Sequence, residues 1–118
     1  MSVKWITYKG KKILYSDYRG LKETELLENV ETVAKILAAS PSKALLLLNF
    51  ENTYLTAEYF ARAKELGGVI EPKKEKWAVV GVVGAKNILL ERYKLSTGSS
   101  GNNRIFKTEA EALEWLIS

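Results

Sequence analysis

The sequence contains no histidine and no cysteine, and Asp17 is its single aspartate beside 13 glutamates. Without histidine the chain lacks the usual general base and the commonest zinc ligand. Without cysteine it has neither a thiol nucleophile nor a disulfide, which argues against a disulfide-stabilised secreted domain. Two-metal sites normally need several converging carboxylates, and the glutamates here fall mostly on predicted helix surfaces. We therefore expect a protein that binds or regulates, is not an enzyme, and uses no cofactor and no metal.

Long hydrophobic runs and a strong excess of one charge are also missing. The longest apolar runs, Ala44–Leu48 and Ala78–Val83, are far shorter than the roughly 20 residues of a membrane-spanning helix. Met1–Lys12 alternates apolar and charged residues, unlike a signal peptide. The net charge is only +4, and we interpret its two lysine clusters as solvated turns: Lys9, Lys11, Lys12 and Lys73, Lys74, Lys76. We expect a soluble, cytoplasmic protein with no membrane span and no nucleic-acid partner.

The 118 residues do show a regular alternation of strand and helix patterns, typical of one α/β domain spanning residues 1–118. Val3–Tyr8 and Lys12–Asp17 predict an antiparallel hairpin, which places the first strand at an edge. The apolar runs at Ala44–Leu48 and Trp77–Val83 predict buried parallel strands, and Arg104–Phe106 predicts a short fifth strand. About four helices are expected: Lys22–Ala39, Ala57–Leu66, Ala85–Lys94 and one that follows Thr108.

Local signals mark the helix ends. Thr56 is a predicted N-cap, and Gly67 with Gly68 should close that helix in the left-handed conformation. Thr108 and Glu111 form a predicted capping box at the last helix. That helix is expected to bury four residues: Ala112, Leu113, Trp115 and Leu116.

Two polar loops follow neighbouring parallel strands at their carboxyl ends, where ligands of open α/β sheets usually bind. One is Asp17–Gly20 and the other is Asn49–Thr56. Ordinary turns and a helix cap account for the same residues, so a binding role is one of two interpretations. The predicted binding residues are Asp17, Tyr18, Arg19, Asn49, Asn52, Thr53, Tyr54 and Thr56.

The segment Gly81–Lys86 also precedes a predicted helix, the position where anions bind. Its glycine spacing is too short for a P-loop, and Asn87 stands where a magnesium-binding hydroxyl would be needed. We interpret its glycines as residues that allow close packing between strand and helix.

Four segments together follow the pattern of a known family: Ile13–Tyr18, Leu45–Asn49, Ala78–Gly84 and Phe106–Leu116, the last containing Glu114-Trp115-Leu116. The chain resembles the SpoIIAA-like family of STAS-type domains, the sulfate-transporter and anti-sigma-factor-antagonist domains. The resemblance implies a bacterial protein with a sheet in sequential strand order, wound as a β-α superhelix. It also implies kinship with anti-sigma-factor antagonists and, at the level of fold, with CRAL-TRIO lipid-transfer domains.

Anti-sigma-factor antagonists carry a phosphorylatable serine, usually within Asp-Ser-Ser-Gly, at the start of the helix after the third strand. The matching stretch is Tyr54-Leu55-Thr56-Ala57, where only Thr56 keeps a suitable hydroxyl, so the resemblance implies Thr56 as the phosphorylation site. The function we expect is a regulatory domain that binds a protein partner. The alternative is a carrier of a small apolar or lipid-like ligand, and a homodimer is compatible with either.

Overall fold

The computed structural model describes residues 2–53, 55–82, 85–97 and 103–118. Five strands form one sheet in sequential order, β1 to β5. Their bounds are Val3–Tyr8, Lys11–Asp17, Ala44–Asn49, Lys74–Val80 and Asn103–Phe106. The β1–β2 pair is antiparallel and the other three pairs are parallel. The predicted α/β architecture, strand order and antiparallel edge strand are therefore confirmed.

Five α-helices connect and cover the strands, with bounds Glu23–Ala39 (α1), Ala57–Glu65 (α2), Gly67–Ile70 (α3), Ala85–Thr97 (α4) and Glu109–Leu116 (α5). A 3-10 turn at Glu71–Lys73 leads from α3 into β4. Buried residues of α1 to α4 share one cluster with Leu14 and Leu46, whereas α5 packs with Ile13 and Leu47. Four helices thus cover one face of the sheet and α5 covers the other.

This two-sided cover explains the continuous apolar runs in the central strands. Successive residues of a strand point to opposite faces, so both sets must be apolar when helices lie on both sides. Leu46 of β3 faces α1 to α4, while Leu45 and Leu47 face α5, and all three are buried. No helix in the described part of the chain is long and apolar enough to cross a membrane.

The helix α2 ends within one residue of the predicted Leu66, but the predicted left-handed closure is wrong. Gly67 and Gly68 do not adopt the left-handed conformation, because both belong to the short helix α3. The backbone N–H groups of Val69 and Ile70 both donate to the carbonyl oxygen of Leu66. Ile70 is buried in the main core, so a further helical turn is stabilised by the burial of its side chain.

The second lysine cluster is not a solvated turn either. Lys74 and Lys76 lie in β4, which begins and ends earlier than the predicted Trp77–Val83. The Lys74 ammonium lies 3.4 Å from the centroid of the Trp77 ring and 2.5 Å from a carboxylate oxygen of Glu71. A long apolar stem and a nearby counter-charge allow a lysine to begin a buried strand.

The last helix has less buried surface than its pattern predicts. Ala112 and Leu116 are buried, but Leu113 and Trp115 are only partly buried. The reason is that α5 is the one helix on its face among the described elements, so no neighbouring helix covers its flanks. The Thr108 hydroxyl caps α5 by accepting from the Glu111 backbone N–H at 3.3 Å, as predicted. The other half of the predicted capping box differs, because the Glu111 carboxylate accepts from the Thr108 hydroxyl at 3.1 Å and not from its backbone N–H.

Candidate functional site

The two predicted loops lie side by side beyond the carboxyl ends of β2 and β3. The Tyr18 backbone N–H donates to the Asn49 carbonyl at 2.9 Å, which extends the pairing of the two strands past their ends. The Thr53 hydroxyl then donates to the Tyr18 carbonyl at 2.5 Å and to the Glu51 carbonyl at 3.1 Å. The structure therefore brings Asp17–Gly20 and Asn49–Thr53 together, as parallel pairing requires.

Tyr18 belongs to the core beneath these loops and offers no contact to a partner. Its ring stacks on Phe50 with centroids 4.6 Å apart and meets the edge of Tyr59 at 5.4 Å. The side chain is fully buried, and this burial raises the pKa of the Tyr18 hydroxyl. The aromatic cluster therefore supports the loops from below.

Buried polar side chains concentrate at this one edge. Apart from tyrosine and tryptophan, the described residues include four buried polar side chains: Ser16, Asn29, Asn49 and Thr53. The Asn29 amide donates to the Asp17 carbonyl at 3.2 Å, and the Asn49 side-chain oxygen accepts from the Glu51 N–H at 3.0 Å. Since burying a polar group is costly unless it is hydrogen-bonded, these bonds specify the loop conformation.

A third loop packs closely against the second one. Gly81, just after β4, has a φ of +84°, and a Cβ atom built there would lie 2.4 Å from the Glu51 nitrogen. The glycines were expected to allow close packing between a strand and a helix. Gly81 does allow a close approach, but it is to the loop backbone that follows β3. Within the predicted segment Gly81–Lys86, Val83 and Gly84 lie outside the described residues.

On the α5 face, Tyr15, Asn49 and Glu109 form a hydrogen-bonded cluster. The Tyr15 hydroxyl donates to the Glu109 carboxylate at 2.7 Å, and the Asn49 amide donates to the same oxygen at 3.2 Å. Burial, followed by the bond to Glu109, raises the pKa of Tyr15 to about 12, so the phenol stays protonated near neutrality. Sequence reasoning missed this cluster. The alternation in β2, which puts Tyr15 and Asp17 on one face, was the available signal.

Asp17 and Arg19 form the most exposed charged pair at this edge. The Arg19 guanidinium donates two hydrogen bonds to the Asp17 carboxylate, at 2.9 and 2.8 Å. The bond to Arg19 is the main cause that lowers the pKa of Asp17. Because the carboxylate is engaged and ionised, it is suited to fixing Arg19 in place and poorly suited to accepting a proton in a reaction.

Thr56 is partly exposed and caps α2, as its position predicted. Its hydroxyl accepts from the Tyr59 N–H at 3.2 Å and donates to the Glu23 carboxylate of α1 at 2.8 Å. Asn52 is exposed and adopts the left-handed conformation with a φ of 52°, which asparagine tolerates well. Tyr54 lies outside the described residues, so its predicted role has no structural description.

In the described ranges, no three metal-ligating side chains of the His, Cys, Asp or Glu type gather into one group. The polar groups that do converge are bonded to one another or to the backbone of the loops. Their arrangement is that of a fixed surface.

The sheet has sequential strand order and an antiparallel first strand, and among the described elements one helix, α5, covers its second face. No protein-family model matches the chain, and no curated protein matches it in sequence. Among solved structures it is similar to an anti-sigma-factor antagonist (STAS) domain protein from Planctomyces limnophilus. The TM-score is 0.64 at 14% sequence identity, with 98% of each chain covered. At this identity the likeness shows the fold alone, and it confirms the fold that the sequence resemblance implied.

Proposed function

We propose that this chain is a non-catalytic regulatory domain that binds a protein partner through the carboxyl-terminal edge of its sheet. The contact region is the strand-end surface, defined by Arg19, Asn52 and Thr56. The observation that carries the proposal is that three buried polar side chains of the described residues, Asn29, Asn49 and Thr53, form hydrogen bonds to the backbone beneath this one surface.

A rigid surface gains affinity because little conformational entropy is lost when a partner binds. The loops meet that condition through the bonds of Asn29, Asn49 and Thr53 to the backbone of the loops. The same segments place Tyr18, Phe50 and Leu55 in the core, and these bonds fix the polar groups that lie among them. Their benefit is easier to explain as recognition than as stability, since buried polar groups are a weak source of net stability.

The proposed role agrees with the chemistry of the exposed groups. Arg19 presents a guanidinium that Asp17 holds in one orientation, and arginine is enriched in protein interfaces. Asn52 adds an amide that can both donate and accept. The STAS-type fold and the likeness to an anti-sigma-factor antagonist supply the analogy that favours a protein partner.

The test is affinity capture from bacterial lysate with matched variants and identification of captured proteins by mass spectrometry. Arg19→Ala and Asn52→Gly each remove a side chain of the strand-end surface, and glycine keeps the left-handed backbone of Asn52 free of strain. Lys64→Ala, on the exposed surface of α2, serves as the control. A protein retained by wild type and the control but lost by both surface variants, at equal melting temperature, supports the proposal. Capture that both variants retain in full contradicts it.

Phosphorylation of Thr56 is the regulatory step that we propose for this surface. A phosphate would add about 1.5 to 2 negative charges beside the Glu23 carboxylate, which now accepts from the Thr56 hydroxyl. Repulsion would separate the start of α2 from the start of α1, and the α2 N-terminus would still favour the phosphate. The phosphomimetic Thr56→Glu should therefore release a captured partner, whereas Thr56→Ser should retain it. Equal capture by both variants would argue against the switch.

The alternative role as a carrier receives no support from the core. The space between the sheet and the helices α1, α2 and α4 is a cavity of about 30 Å³, lined in part by Tyr18, Tyr59 and Trp77. That volume holds one or two water molecules. Drug-sized ligands occupy pockets of about 300 to 1,000 Å³. A lipid-like ligand would require these aromatic side chains to separate.

A further inference from the structure

We propose that the opposite end of the sheet carries a second docking surface, which binds an acidic peptide segment with apolar side chains. This surface is the N-terminal groove, defined by the apolar residues Trp5, Ile36, Pro41 and Leu45 and the charged residues Lys11, Lys12, Lys43 and Glu75. The groove has a volume of about 730 Å³. It lies where β2, β3 and β4 begin, about 20 Å from the strand-end surface by the length of a strand.

The first argument is the state of the lysines. Most members of the two clusters in the sequence have partners within the fold: Lys9 with Glu114, Lys73 with the Ser40 carbonyl, Lys74 with Glu71, and Lys76 with the Trp115 and Ser118 carbonyls. Lys11, Lys12 and Lys43 are exposed and form no ion pair within the described residues. All three line the groove, where Glu75 is the single acidic residue.

The second argument is the apolar floor. Trp5 leaves 43% of its surface exposed, the largest exposed ring among the described residues. It lies on β1, which pairs only with β2 among the described strands, so the outer edge of the sheet is open beside the groove. A tryptophan surrounded by apolar residues and rimmed by charges has the anatomy of an interface hot spot.

The third argument concerns the end of α1, whose last turn contributes Ala39 and Ser40 to the groove. Carbonyl groups at a helix C-terminus carry partial negative charge and repel an acidic partner. The Lys73 ammonium binds the Ser40 carbonyl at 2.6 Å and offsets that charge. The field in the groove is therefore set by three ammonium groups and the one carboxylate.

These arguments select the occupant. A second copy of the chain is disfavoured because it would bring the same lysines and a net charge of +4 to the contact. Nucleic acid would satisfy the lysines, but its phosphates would leave Trp5, Ile36 and Pro41 without apolar contacts. A peptide in which glutamates alternate with leucines can pair with the lysines of the groove and also cover its apolar residues.

The test is a titration with a synthetic peptide that alternates pairs of glutamates with single leucines, followed by the indole N–H resonances of the three tryptophans. The Trp5 resonance should shift, whereas that of Trp77, which is 4% exposed, should not. Affinity should fall as salt is added, and a peptide with glutamine in place of glutamate should bind at least about tenfold more weakly.

Two variants locate the contact. The triple variant K11E/K12E/K43E should lose binding, while K35E/K64E/K107E, which changes net charge equally at other exposed positions, should retain it. If the first triple variant does not fold, Trp5→Ala alone should weaken binding. Equal loss in both triple variants, an unshifted Trp5, or tighter binding of oligothymidylate of equal charge would overturn the proposal. So would a Trp5 shift that depends on protein concentration without peptide, which would assign the groove to a second copy.

Discussion

Replacement of Gly81 by alanine should destabilise the protein much more than replacement of Gly20. Both glycines have positive φ, +84° and +69°, so alanine at either position costs about 1–2 kcal/mol for the left-handed backbone. At Gly81 the new Cβ would also lie 2.4 Å from the Glu51 nitrogen and 2.8 Å from its Cα. Both are backbone atoms, which cannot move aside by rotation of a side chain. Overpacking of this kind costs a further ~1–3 kcal/mol. At Gly20 nothing lies within 4 Å of the added atom.

The comparison can be made by urea denaturation, followed by tryptophan fluorescence. Gly81→Ala should lose about 3 kcal/mol of unfolding free energy and Gly20→Ala about 1 kcal/mol, with equal slopes if the transitions remain two-state. A loss in Gly81→Ala no larger than that in Gly20→Ala would refute the close packing of the two loops. Glu51 precedes Asn52, so a shift of the Glu51 backbone also moves Asn52. We therefore expect Gly81→Ala to lower the affinity for any partner at the strand-end surface.

Three further perturbations test other contacts. Burial holds the pKa of Lys74 at about 8, below its ordinary 10.5. Between these two pH values Lys74 holds a proton in the unfolded chain and loses it in the folded chain. The free energy of unfolding should therefore rise by about 1–2 kcal/mol from about pH 8 to about pH 9.5, as measured by urea denaturation. Lys74→Met should abolish this rise. Tyr15→Phe removes the donor to Glu109 and should cost about 1 kcal/mol in urea unfolding, and no loss would show that the bond is unimportant. Trp115→Ala should lower the free energy of unfolding in urea by about 1–2 kcal/mol, because the ring is only partly buried. A loss above about 3 kcal/mol would contradict partial burial of the ring.

The order and pairing of the strands could be predicted because they depend on local patterns. The apolar run at Ala44–Leu48 requires cover on both faces, and helices between parallel strands supply it. The position of the two polar loops follows from the same topology. The burial of Tyr18 could not be predicted, because it depends on stacking against Phe50, which follows another strand, β3.

Sequence reasoning missed the features that depend on how the elements pack against one another. Tyr15 and Glu109 are separated by 94 positions and meet only because α5 returns to the face opposite the other helices. Lys74 stands in a run of charged residues, which is typical of a solvated surface. In the structure its ammonium group lies against the rings of Trp77 and Tyr93. The helix at Gly67–Ile70 was missed because burial of Ile70 outweighs the weak helical preference of glycine.

The sequential order of the sheet has a consequence for how the chain acquires its structure. Every strand is hydrogen-bonded to the strand that precedes it along the chain, so each segment that leaves a ribosome finds its neighbour already formed. Such a topology needs no threading, and each pairing in the sheet joins strands that are neighbours along the chain. The last step is different, because docking of α5 joins Glu114 to Tyr8 and Lys9 of the first hairpin. We expect this docking to be the event that makes the transition cooperative over the whole sheet.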